Sequence, residues 1–134
     1  MRRGAWVFWV LCVVLLAGCS VGTLELKKIR DLDYELVEEA DIPEEMRETI
    51  EEHKCGAFSF TYADKGRLYI ARGYGKQETD GYKIQVSEFY ESENAVVFQT
   101  TFLGPEPEEG GGDEPSYPYI VVWTEYSGKD VVIE

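Results

Sequence analysis

The sequence is poor in the residue types on which catalytic and disulfide-built proteins rely. It has one histidine, His53, and three cysteines, Cys12, Cys19 and Cys55. Common enzyme signatures are missing: there is no Gly-x-Ser-x-Gly, no Walker loop, no His-Glu-x-x-His and no paired-cysteine metal motif. Gly73-Tyr74-Gly75 carries two glycines of a dinucleotide fingerprint, without the third and without a βαβ setting. Basic residues are scarce as well, 13 against 26 acids, for a net charge of −13. Such a surface repels phosphate backbones, so no nucleic-acid partner is expected. Close carboxylate pairs arise by chance among so many acids and are no signal of glycosidic chemistry. No catalytic residues, metal ligands or cofactors are therefore expected.

The one long apolar run, Trp6 to Ala17, is shorter than the about 20 residues that span a bilayer. Arg2 and Arg3 precede it and small residues follow, the layout of an export signal. Leu16-Ala17-Gly18-Cys19 resembles the bacterial lipobox, in which the cysteine is acylated and the signal is cut just before it. The alternative is an ordinary export signal cleaved near the same small residues. Two or three fatty-acyl chains on Cys19 give a durable anchor, since each buried CH₂ contributes about 0.8 kcal/mol and one chain holds only marginally. The expected layout is a signal peptide over 1–18, a lipid anchor and tether over 19–30, and a single domain over 31–134. The location is then extracytoplasmic, on the cell membrane or an outer membrane. Losing Arg2 and Arg3 leaves 11 basic residues against 26 acids, a net of −15. Cys12 leaves and Cys19 is acylated, so Cys55 has no intramolecular partner. Its residue type favours burial, with a thiol free for intermolecular pairing as the alternative.

One helix is well signalled. Asp41 and Glu44 have capping-box spacing, Pro43 suits a first turn, and Gly56 follows the end. Ile42, Met46, Thr49, Ile50 and His53 recur at helical spacing, with Glu44, Glu45, Glu48, Glu51 and Glu52 elsewhere. On a helix His53 and Cys55 point about 200° apart, which argues against a Cys-His pair and for packing at the edge of the stripe. The period then becomes alternating. Phe58, Phe60 and Tyr62 share a face, Asp64-Lys65-Gly66 reads as a turn, and Arg67 to Ala71 follows. Further strands are expected at Tyr82 to Val86, Asn94 to Phe102, Tyr119 to Tyr126 and Val131 to Ile133, with a weaker one at Asp33 to Val37. The sum is an α+β domain: one amphipathic helix on a mainly antiparallel sheet or partly rolled barrel of about six strands.

Gly104 to Ser116, rich in glycine, proline and acids, is expected to be an exposed, mobile hairpin loop. Its acids lack the fixed spacing of a calcium loop.

Gly73, Lys76, Thr79, Gly81 and Tyr82 run into an alternating strand; Pro105 and Pro107 and then Tyr117-Pro118-Tyr119 follow a valine-rich one. Over Phe58 to Ile133 this arrangement resembles the C-terminal domain of the protease complex subunit PrcB family, most specifically at Gly81-Tyr82 and Tyr117-Pro118-Tyr119. It departs from the family at Asp80, where a second glycine is frequent. The resemblance implies an exported, non-catalytic, lipid-anchored protein that assembles or stabilises a cell-surface serine protease. Gly73, Lys76, Thr79, Gly81, Tyr82, Tyr117, Pro118 and Tyr119 are the candidate partner-binding residues. Adjacent turns would make Tyr82, Tyr117 and Tyr119 an aromatic patch of the kind enriched at interfaces. Equally, strands enrich tyrosine for packing with no partner at all. Two other functions stand beside the accessory role: a protease inhibitor inserting Gly73 to Gly81 as a wedge, and a structural envelope lipoprotein with no protease partner.

Overall fold

The structure, a computed structural model, describes residues 27–106 and 114–134. The expected signal peptide, Cys19, Pro107 and the centre of the acidic loop lie outside the described residues. Among the described residues no helix is long and apolar enough to cross a membrane.

The chain forms β1 (Lys28–Asp31), β2 (Glu35–Leu36), a 3₁₀ turn at Glu39–Asp41 and the helix α1 (Glu44–His53). Six more strands follow: β3 (Ala57–Asp64), β4 (Arg67–Tyr74), β5 (Lys83–Ser92), β6 (Ala95–Leu103), β7 (Tyr119–Glu125) and β8 (Asp130–Ile133). Two four-stranded sheets result, ordered β1-β5-β6-β8 and β2-β7-β4-β3. The pairing is antiparallel except between β6 and β8, which run parallel. Among the described residues the architecture is thus one helix on mainly antiparallel sheets, with eight strands in two sheets where about six in one sheet or barrel were expected. β1 begins at Lys28, inside the segment expected as tether.

The sheet β2-β7-β4-β3 is the middle of three layers. Ile42, Met46 and Ile50 on the helix side pack against Tyr69 and Ala71 of β4 and Val121 of β7. On the opposite face, Leu68, Ile70 and Val122 meet Phe89, Val96 and Phe98 of the second sheet. A strand covered on both faces needs no polar side, which is why Leu68 to Ala71 reads as a continuous apolar run. Met46 and Ile50 are 1% and 2% exposed, each burial stabilising by roughly 1.5–3 kcal/mol. In β5 a bulge between Val86 and Glu88 resets the alternation. Val86 and Phe89, three apart, therefore both face the core between the sheets.

The helix start differs from the expected capping box. Asp41 closes the 3₁₀ turn, and Pro43 stands at the N-cap with no side-chain capping hydrogen bond. Arg47 ties the preceding turn to the helix without replacing the cap: its Nη2 donates to the carbonyls of Glu39, Ala40 and Ile42 at 3.1, 3.4 and 3.2 Å. His53 is exposed at the end of the stripe. Cys55, expected inside, is also exposed: it lies in the turn joining α1 to β3, beyond the buried stripe.

Candidate partner-binding surface

The loop between β4 and β5 is fastened at four places. Its entry is held where Tyr74 N donates to Pro118 O at 3.1 Å, with Gly73 opposite Tyr119 in the register. Lys76 N donates to Cys55 O at 3.2 Å, in the turn after the helix. Gln77 and Ser116 then exchange both backbone bonds, at 2.8 and 3.0 Å, while Ser116 Oγ donates to Thr79 O at 2.7 Å. Finally Gly81, at φ +90°, lies against Pro105, where an added Cβ would stand 2.9 Å from Pro105 Cβ. A left-handed φ and a close neighbour both select glycine there. The two segments singled out in the sequence are therefore brought together: the 73–81 loop lies along 116–119. The Tyr117-Pro118 peptide is trans.

The tyrosines of these segments part company. Tyr82 stacks on Phe102 with centroids 5.0 Å apart, and Phe102 stacks on Tyr74 at 4.3 Å. Arg72 adds its guanidinium over the Tyr74 ring at 4.3 Å, making a column Arg72-Tyr74-Phe102-Tyr82 that joins the two sheets. Tyr74 Oη and Thr100 Oγ1 share a hydrogen bond across the same seam. Tyr117 instead carries Lys54 over its ring at 5.1 Å, and Lys54 is paired with Glu51 at 3.0 Å. Tyr119 packs into the helix layer, where burial pushes its hydroxyl pKa up. The expected patch of three tyrosines is divided: Tyr82 precedes a strand of the other sheet, while Tyr117 and Tyr119 both lie near the end of α1. Sequence reasoning passed over Arg72, Tyr74 and Phe102; the signal available for Phe102 was its place opposite Ile84 in a β5–β6 hairpin.

Of the remaining candidates, Gly73 is buried beneath the Phe58 ring and serves the sheet. Lys76 is exposed and Thr79 half-buried. The surface presented is thus a tied-down loop with polar, mixed-charge side chains, beside an aromatic column that fixes its far end. Among the described residues no group of three or more His, Cys, Asp or Glu is placed to hold a metal ion.

A concave feature opens at the other end of the sandwich, a cleft of about 730 Å³ lined by Leu32, Tyr34, Glu91, Trp123, Thr124 and Tyr126 among others. Glu91 at its wall accepts from Arg30 Nε at 2.8 Å and pairs with Lys129 Nζ at 3.1 Å. Those two hydrogen bonds hold its carboxyl below the usual range. This cluster ties β1, β5 and the β7–β8 connection together.

With this geometry in view, the matched span falls on its centre. Residues 68–125 match the PrcB C-terminal family. The span opens in β4 and closes with β7, so it includes the fastened loop, the aromatic column, Gly81-Tyr82 and Tyr117-Pro118-Tyr119. It is narrower than the resemblance read from the sequence, leaving out β3 and β8. Searches of the curated proteins and of the solved structures each found no match.

Proposed function

We propose that this chain is a membrane-anchored, extracytoplasmic accessory protein that assembles or stabilises a cell-surface serine protease complex and performs no catalysis itself. The observation that carries the reading is the PrcB C-terminal match, centred on two segments that the fold clamps into one surface. A loop held at four places is pre-organised, and pre-organisation spares a binding surface much of the ordering entropy. The lipobox-like Leu16-Ala17-Gly18-Cys19 supports the anchor, and the signal, tether and domain layout follows from it.

The test is capture from detergent-solubilised envelopes with the full chain as bait and Lys76→Glu, an exposed change, as control. Recovery of one serine protease by the wild-type chain, reduced in the variant, is the expected result; recovery of no protease by either overturns the reading. Substitution Cys19→Ser should move the chain from the membrane to the soluble fraction. Continued membrane retention would remove the lipid anchor from the proposal.

Rigidity of the loop also favours a second reading, inhibition by insertion of 73–81 into a protease cleft. Addition of the chain to the captured protease separates the two. Sustained activity fits the accessory role, and stoichiometric loss of activity fits the inhibitor.

A further inference from the structure

β3 forms one edge of its sheet, and nothing in its sequence closes that edge. Protein edge strands are usually blunted by shortness, proline, bulges, lysine or a covering element. β3 has eight residues, an unbroken register from Ala57↔Tyr74 to Asp64↔Arg67, no proline, and its one charge at the terminal Asp64. Its strand neighbour is β4; among the described residues no strand and no further backbone hydrogen bond meets Ala57 to Asp64 on the outer side.

The outward groups can be assigned. Arg72 Nη1 donates to both Phe58 O and Gly73 O, at 3.2 and 2.7 Å. One nitrogen reaches both carbonyls only if both point into the β3–β4 seam. Antiparallel alternation then turns the N–H and C=O of Ser59 and Thr61 outward. The side chains of Ala57, Ser59, Thr61 and Ala63 are small and exposed, so that face offers no steric obstacle.

The opposite face carries charge. The short turn after His53 leads the chain straight into β3, so α1 runs back along the strand. Tyr62 Oη donates to Glu45 and fixes the helix start over the strand's far end. Glu44, Glu45, Glu48, Glu51 and Glu52 are all exposed on α1.

We infer that β3 is a docking strand for an extended segment of a partner polypeptide bearing lysine or arginine at alternate positions. Backbone pairing along the edge supplies the attachment, and the acids of α1 select the basic side chains. Charge decides against a second copy of this chain as occupant. Two copies joined through antiparallel β3 strands would carry their α1 helices on the same face, bringing like charges together in a chain of net −13. The inference rests on the accessory reading above and names the mode of contact.

Amide hydrogen exchange of the full chain tests it, with the capped peptide Lys-Val-Lys-Val-Lys-Val-Lys as probe and its glutamate counterpart as control. At a peptide concentration of about ten times Kd, the Ser59 and Thr61 amides should exchange about tenfold more slowly. The glutamate peptide should have no effect. Thr61→Pro removes an outward donor, which edge strands tolerate, and should abolish the protection. Glu48→Lys/Glu52→Lys leaves β3 intact and should narrow the preference between the peptides. Absence of slowing at saturation, equal slowing by both peptides, or outward amides already protected in the free chain would each overturn the inference. If Thr61→Pro still captures the protease as well as wild type, the accessory role survives and the β3 mode does not.

Discussion

A Cβ added at Gly73 would stand 2.1 Å from Phe58 Cε1, because the two residues face each other across β3 and β4 and the ring lies over the glycine. The ring also leans on Phe60, at a centroid separation of 5.9 Å, and packs into the helix layer. Gly73→Ala should therefore displace an aromatic and destabilise the fold by roughly 1–3 kcal/mol. In a Phe58→Ala background the same change should lose most of that effect. Urea unfolding of the four proteins gives the coupling, expected at about 1 kcal/mol or more; a coupling near zero would assign the glycine to something other than the ring.

Gly81 is constrained differently, by a φ of +90° and by Pro105. Alanine there meets both, and a loss of roughly 1–3 kcal/mol is expected. Pro105→Gly removes the opposing Cβ, so relative to Pro105→Gly alone the added Gly81→Ala change should cost only its backbone share. No cost in thermal unfolding would show that the backbone conformation carries no strain.

Much of this fold is written in local patterns. The β3–β4 hairpin is legible because Lys65 and Gly66 adopt φ of 51° and 79°, which the Asp64-Lys65-Gly66 stretch announces and the alternating Phe58, Phe60 and Tyr62 frame. The helix is legible from Met46 and Ile50. β1 is not, since all its residues are exposed and no side of it alternates; the two-residue β2 falls inside the weak Asp33 to Val37 candidate. Periodicity tells which face is buried and never against what, so Tyr82 and Tyr119 looked like neighbours while belonging to different sheets. The Arg30–Glu91 pair spans 61 positions and has no local signal at all. Cys55 misled through its type: a residue usually buried sits in a turn that the helix stripe has already left.

Tyr62 ties α1 to β3 and should do so only while protonated. The Glu45 carboxylate that accepts its hydrogen bond, with burial adding to it, pushes the Tyr62 pKa up to about 12. The unfolded chain releases this proton near pH 10, so the folded state holds it over the higher range. The stability from this contact is therefore complete below about pH 10 and declines as pH rises towards 12. Tyr62→Phe should lower stability at neutral pH and flatten the alkaline unfolding profile. Parallel profiles for the two proteins would remove the contact from the account.

Glu91 provides the opposite slope. Its side chain is 11% exposed, against 65% for Arg30 and 28% for Lys129, so one well-covered carboxylate holds two more exposed cations. Hydrogen bonds from Arg30 and Lys129 lower its pKa, so the unfolded state binds this proton first as pH falls. The cluster's contribution is complete above the ordinary carboxylate range near pH 4.5 and is lost as pH drops through the lowered folded value. Glu91→Gln keeps the shape and removes the charge, leaving Arg30 and Lys129 to repel. It should be less stable than wild type at pH 7, with the gap narrowing once pH falls below about 4.5. Lys129→Met leaves Glu91 with one cation and should shift the acid limb by less than Glu91→Gln does. Denaturant unfolding followed from neutral to acid pH checks both, and a gap that stays constant down to about pH 2 would show that the cluster acts through packing and not through its charge.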